Sequence, residues 1–202
     1  MVHLIDFIPN QEQYKLLHYS KNQIVFNEQD HCDGIYLIIQ GEVSIRTYNF
    51  FDQEYTITTL QDGSSFGESL LFSSRPYYLG NVIATKATTL LFLSKTELLA
   101  LLQDSLFLTH FLLVLSERNL ENQFKIKILL QKQIKEKVLF FLSEKQKQLH
   151  SSIIPIQSKE KLAQFLNIPR PSLSRTLLQM KEEKLIDFNR KTIILLDNCK
   201  IM

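Results

Sequence analysis

Residues 158–191 read SKEKLAQFLNIPRPSLSRTLLQMKEEKLIDFNRK, and this stretch decides how the rest of the chain is to be understood. Ser158 can cap a helix in which Leu162, Phe165 and Leu166 fall at i, i+3 and i+4 on one face. Asn167-Ile168-Pro169-Arg170 then breaks it. Pro171 suits the first position of a new helix, where a fixed φ costs nothing and the missing N–H has no bond to lose. A proline also disfavours the α region for the residue before it, which makes Arg170 the expected capping residue. The second helix, Pro171 to about Glu183, has Leu173, Leu177 and Met180 to bury, with Leu178 beside them. Its other face carries Ser172, Ser174, Arg175 and Gln179. Leu185-Ile186-Asp187-Phe188 and Thr192-Ile193-Ile194-Leu195-Leu196, joined by the polar turn Asn189-Arg190-Lys191, form a β-hairpin. Two short helices joined by a four-residue turn and followed by a hairpin make a winged helix-turn-helix, a unit that reads the major groove of DNA. An ordinary helix hairpin with a solvated polar face shares part of this pattern.

The charge distribution favours the DNA reading. The net charge of the 202 residues is only +2. Residues 118–202, however, hold 17 Lys/Arg against 8 Asp/Glu, whereas residues 1–117 hold 6 against 13. A basic C-terminal part beside an acidic N-terminal part is expected when one end meets a polyanion. All five glycines lie in the first 80 residues, where the turns of a sheet need them. Two cysteines, Cys32 and Cys199, are too few for an iron–sulfur or structural zinc site and form no disulfide framework, which suits a reducing cytoplasm. No apolar run reaches the ~18–20 residues that span a bilayer, and residues 1–6 do not form a signal peptide. A soluble, cytoplasmic protein with no membrane partner is expected.

Before the winged helix, residues 1–20 suggest a short amphipathic helical lead. From Gln23 onward short β-rich segments follow at 24–26, 35–39, 43–48, 55–60, 82–84 and 89–93, with turn residues at Asp33-Gly34, Gln40-Gly41 and Asp62-Gly63. Their spacing predicts a small antiparallel β-barrel or roll. Ser94-Lys95-Thr96-Glu97 is a capping box that opens a helix through Leu102. A longer helix runs from about Ser105 to Leu130, and its first half is apolar nearly all round. Such a helix is buried on more than one side. A second subunit is the expected cover, with Leu108, Leu112 and Leu115 at the seam; a fully enclosed core helix is the alternative. A further helix from Lys132 to about Lys147 and the connection Ser151–Pro155 lead into the winged helix. The fold class expected is α+β: an antiparallel β-roll over 1–104, a dimerisation helix over 105–131, and a winged helix over 132–202.

Three stretches give this order of parts a family likeness. Gly34-Ile35-Tyr36-Leu37-Ile38-Ile39-Gln40-Gly41-Glu42-Val43, Phe66-Gly67-Glu68-Ser69-Leu70-Leu71-Phe72 and Ile168-Pro169-Arg170-Pro171-Ser172-Leu173-Ser174-Arg175 resemble the roll signature, the ligand-loop signature and the recognition-helix start of the Crp/Fnr family of bacterial transcription regulators. The resemblance covers essentially the whole chain. It implies a homodimer on an inverted-repeat operator in double-stranded DNA, with a small-molecule effector in the roll and RNA polymerase a further candidate partner. It places Arg170 and Arg175 at DNA-contacting positions, the latter reading a guanine edge through bidentate donation to O6 and N7. Pro171 departs from the glutamate that many members carry there. Ser172, Ser174 and Gln179 complete the expected face, with Lys159, Lys161 and Lys191 on the backbone phosphates.

The resemblance also places an effector pocket at Gly67, Glu68, Ser69, Tyr78 and Leu79. Where members that bind cyclic nucleotides have an Arg-Ser pair for the phosphate, this chain has Tyr78-Leu79, so cyclic AMP is not the expected effector. Arg75 is the nearest substitute cation. His31 or Cys32 could ligate haem, yet no cofactor or metal is expected. Among other functions, a ligand-sensing dimeric module without operator recognition stays open. A cupin-like enzyme is disfavoured because the five histidines are scattered singly, and no nucleophile–base set, P-loop or Gly-x-Gly-x-x-Gly is present. No catalytic residue is expected.

Overall fold

A computed structural model describes residues 3–48 and 50–196, and the chain divides into two compact units, 1–117 and 118–202. The first unit begins with two 3-10 turns, Leu4–Phe7 and Gln11–Gln13. The strands β1 (Lys15–Tyr19), β2 (Ile24–Phe26), β3 (Gly34–Gln40), β4 (Glu42–Tyr48), β5 (Glu54–Gln61) and β6 (Ser65–Phe66) follow. After them come the short α1 (Glu68–Leu71), β7 (Asn81–Ala84), β8 (Thr88–Ser94), α2 (Lys95–Leu101) and the start of α3 (Ser105–Leu129).

The strands form two antiparallel four-stranded sheets, ordered β1-β8-β3-β6 and β2-β7-β4-β5. β3 is buried continuously from Gly34 to Ile38. It lies between β6 and β8 in its sheet, so a plain apolar run replaces alternation. Gly41 turns β3 into β4 at φ +110°, a conformation that favours glycine, and its N–H donates to Asp62 Oδ1 at 2.6 Å. The core combines Ile35, Leu37, Ile38, Val43, Val82, Leu90, Leu91 and Leu93 with Leu98 of α2 and Phe107 and Phe111 of α3. Full burial of such side chains stabilises by about 1.5–3 kcal/mol each. The Ser94 box closes as expected: Glu97 N–H donates to Ser94 Oγ, and Ser94 N–H donates to Glu97 Oε2 at 2.8 Å.

The helical lead expected over 1–20 is corrected at its end, where Lys15–Tyr19 is a strand. Leu16 pairs with Leu91 and Leu17 with Leu90. Leu17 and Tyr19 pack on the core while Leu16 is exposed, so the period is two.

The second unit holds the end of α3, α4 (Ile134–Leu149), β9 (Ile153–Pro155), α5 (Lys159–Phe165), α6 (Arg170–Glu182), β10 (Ile186–Phe188) and β11 (Thr192–Leu195). The connection expected at 151–155 contains a strand, because β9 pairs with β11 and completes a sheet of order β10-β11-β9. The core is Ile128, Val138, Leu142, Ile154, Leu162, Leu166, Leu173, Leu177, Met180, Ile186 and Ile193. No single helix among the described residues is long and apolar enough to cross a membrane, and Cys199 lies outside them.

Candidate nucleic-acid interface and effector roll

Ser158 caps α5 by accepting a hydrogen bond from the Lys161 N–H at 3.1 Å. Asn167 ends the helix at φ +53°, and the Ile168 N–H then donates back to the Ala163 carbonyl at 3.0 Å. The next cap differs from expectation. Pro169, in an extended conformation, is the N-cap of α6, and Arg170 is already helical. Pro171 in the first turn still costs no hydrogen bond, since the N–H groups there have no intrahelical acceptor.

On α6 the buried line is Leu173, Leu177 and Met180. Arg170, Arg175 and Gln179 are exposed, and Ser172 and Ser174 are half-buried. Arg175 lies two residues from both Leu173 and Leu177, about 200° around the helix, which puts it opposite the buried line. Gln179 is engaged within the helix, donating to Glu183 Oε1 at 2.9 Å. Leu178, expected beside the buried leucines, is instead 56% exposed on the outer face. α6 ends with Lys184 at φ +56°, and the Leu185 N–H donates to the Met180 carbonyl at 3.0 Å.

The wing's turn is built by Asn189, whose Oδ1 accepts from the Lys191 and Thr192 N–H groups at 2.8 and 2.9 Å. Arg190 and Lys191 are exposed there. Lys159, expected among the phosphate contacts, holds its ammonium over the Phe188 ring, 4.1 Å from the centroid. Lys181 pairs with Asp187 at 2.6 Å, and Lys135 of α4 pairs with Glu183 at the end of α6. The Lys181 ammonium and the Phe188 N–H hold the Asp187 carboxyl below its ordinary value.

In the roll, the five residues expected to line an effector pocket separate. Gly67 is buried at φ +99°, where a Cβ would meet the Gly34 carbonyl at 2.6 Å. Glu68 is 3% exposed. Ser69 is exposed, and Leu79 is 70% exposed. Tyr78 is buried because residues 76–78 lie antiparallel against 30–32: Cys32 N–H donates to the Pro76 carbonyl and Tyr78 N–H to the Asp30 carbonyl. Side chains of such an extended segment alternate, so Tyr78 enters while Tyr77 and Leu79 stay outside.

Inside, Tyr78 stacks on Phe26 at 4.4 Å between centroids, Phe26 meets Tyr36 edge-on at 4.9 Å, and Tyr36 stacks on Phe66 at 5.2 Å. The Tyr78 hydroxyl lies beside the Cys32 thiol, which donates to the Gly34 carbonyl at 3.2 Å. Burial pushes the pKa of Cys32, Tyr36 and Tyr78 above their ordinary values, so all three resist ionisation. Besides buried tyrosines and Cys32, the buried polar side chains among the described residues are Ser44, Ser65, Glu68 and Thr88, with no Lys or Arg. Arg75 is exposed. His31 is exposed and pairs with Asp33 at 2.6 Å. The described residues contain no cluster of three or more metal-ligating side chains.

On α3, Leu108 and Leu112, two of the expected seam residues, are exposed, together with Leu113 and Leu120. Leu115, the third expected member, is instead partly buried against the roll core. The helix is so evenly apolar in this half that composition does not fix its phase.

Residues 16–105 match the model of the cyclic nucleotide-binding domain, and residues 136–200 match that of the Crp-like helix-turn-helix domain. The cyclic AMP receptor protein of Thermus thermophilus is 26% identical over 176 residues, 87% of this chain and 81% of that protein. A CooA mutant from Carboxydothermus hydrogenoformans superposes with a TM-score of 0.68 at 18% identity, over 93% of this chain and 85% of that one. An OCPA complex of CprK superposes at 0.74 and 12% identity, over 95% and 88%. At these identities the two structures show likeness of fold. With both domains matched in this order, the chain belongs to the Crp/Fnr family of DNA-binding transcription regulators.

Proposed function

We propose that the chain acts as a homodimer that reads an inverted-repeat operator, with a small molecule in the roll controlling the readout. The observation that carries operator reading is Arg175, exposed opposite the buried line of α6 in a unit with 17 Lys/Arg against 8 Asp/Glu. A guanidinium so placed can donate two parallel bonds to guanine O6 and N7. Arg170, in the first turn, meets a base edge or a phosphate. Ser172, Ser174 and Gln179 flank the arginines, and Lys191 on the wing meets the backbone. Lys159, stacked on Phe188 at the wing's base, contributes to backbone attraction from there. RNA polymerase is a further candidate partner.

The dimer rests on the exposed leucines of α3, which leave Leu112 52% exposed in the single chain. Cyclic AMP is not the proposed effector, a reading that the roll's buried groups support. Among the described residues the roll buries no Lys or Arg, and a buried phosphate without a cation is costly. An apolar or aromatic small molecule suits the ring-lined interior better.

Sequencing the DNA that purified protein retains from a random pool tests this reading. An inverted repeat with half-site centres about 10 base pairs apart is the expected result. Retained DNA without a shared sequence would contradict it.

A further inference from the structure

The outer line of α6 contains an exposed leucine that the DNA-reading face, as assembled so far, does not use. Pro171, Arg175, Leu178 and Glu182 follow one another at i, i+4, i+7 and i+11, and all four are exposed. The buried Leu173, Leu177 and Met180 have the spacing i, i+4, i+7 on the opposite side. Leu178 is 56% exposed, stands outside the unit's core, and lies three residues from Arg175. Isolated exposed leucines are common on protein surfaces and mean little by themselves. This one shares a face with the guanidinium assigned to the major groove, in the basic unit of the chain.

Resting on that operator reading, we propose that Leu178 is a specificity residue that contacts the 5-methyl group of a thymine beside the guanine read by Arg175. Side chains at i and i+3 on a helix are about 5–6 Å apart, whereas base pairs rise by about 3.4 Å. The two side chains therefore fall one or two base steps apart. In the major groove a thymine presents an O4 acceptor and a methyl group, and the methyl is the one apolar feature that a leucine can bury. Leu178 can neither donate to nor accept from a base edge. What it discriminates is a methyl group against a hydrogen or an amine, so a guanine–thymine neighbourhood is selected over guanine–cytosine. Pro171, on the other side of Arg175, likewise offers no side-chain hydrogen bond.

The test uses full-length protein and the operator recovered from the random pool, with each thymine replaced in turn by deoxyuridine, which lacks only the methyl. Burial of one methyl group predicts about a four-fold loss of affinity at one thymine next to the guanine, and little at the others. Leu178→Ala should lose about as much on the native operator and show no further loss on the deoxyuridine operator. Because Leu178 is exposed, the variant should melt as the unsubstituted protein does. Indifference of the native protein to every deoxyuridine overturns the proposal, as does a Leu178→Ala variant that remains equally sensitive to the replacement. In both cases sequence-specific binding itself survives, so the operator reading stands. A pool that yields no shared sequence removes the operator reading, and this inference with it.

Discussion

The Lys159 ammonium lies 4.1 Å from the centroid of the Phe188 ring, and it thereby joins the start of α5 to the first strand of the wing. Lys181 of α6 approaches the same ring at 5.7 Å and pairs with Asp187 on that strand. Both helices of the DNA-reading pair thus hold β10 through cations. A cation over a ring face contributes about 0.5–1 kcal/mol at an exposed site. A double-mutant cycle of Lys159→Met and Phe188→Leu, measured by urea unfolding, should show a coupling of that size. Additive effects would mean that the two side chains lie close without stabilising each other.

Alkaline pH should act on the roll. Tyr36 and Tyr78 are buried, and burial holds their phenols un-ionised well above the ordinary range. A group whose pKa is raised on folding contributes stability below its unfolded value, near 10, and loses it as pH rises beyond that. The slope is at most about 1.4 kcal/mol per pH unit for each tyrosine. Tyrosinate absorbance and circular dichroism followed together above pH ~10 should show these two phenols ionising as the roll unfolds. Ionisation of all seven tyrosines in a still folded roll would contradict the aromatic packing.

Association should depend on the exposed side of α3. Leu108→Glu with Leu112→Glu places two carboxylates on that side while leaving Phe107 and Phe111 in the core. The unsubstituted protein should sediment as a dimer at micromolar concentration and the double variant as a folded monomer. Burying each leucine in a seam is worth roughly 1.5–3 kcal/mol, enough for two charges to dissociate it. A clean monomer for the unsubstituted chain would refute the dimer.

Cyclic AMP at millimolar concentration should give no saturable heat in calorimetry. The roll's buried groups include Glu68 and no cation among the described residues. A low-micromolar dissociation constant would overturn this expectation.

Most of the architecture was legible because it rests on local chemistry. The Ser94 and Ser158 caps, the proline at the start of α6 and the Gly41 turn each act within a few residues. What escaped depended on distant partners. β1 is held by β8, distant in sequence, and β9 by β11, so neither strand carries its own signal. The phase of α3 was blurred by uniform apolarity, so that Leu115 packs partly on the roll core while Leu113 is exposed. On α6, adjacent leucines at 177 and 178 look alike in sequence, yet one is buried and the other exposed. In the roll, Tyr78 and Leu79 were singled out as a pair, while the zipper of 76–78 against 30–32 turns one in and the other out.

Base reading by Arg175 underlies the proposed operator specificity. Arg175→Ala, titrated against operator and scrambled DNA at two salt concentrations, tests it most directly. A loss of about 1–3 kcal/mol on the operator is expected, with little change on scrambled DNA. Lys191→Ala, run beside it, should weaken both DNAs alike and lower the salt dependence by about one unit. An equal loss for Arg175→Ala on both DNAs would make Arg175 a phosphate clamp and contradict base reading.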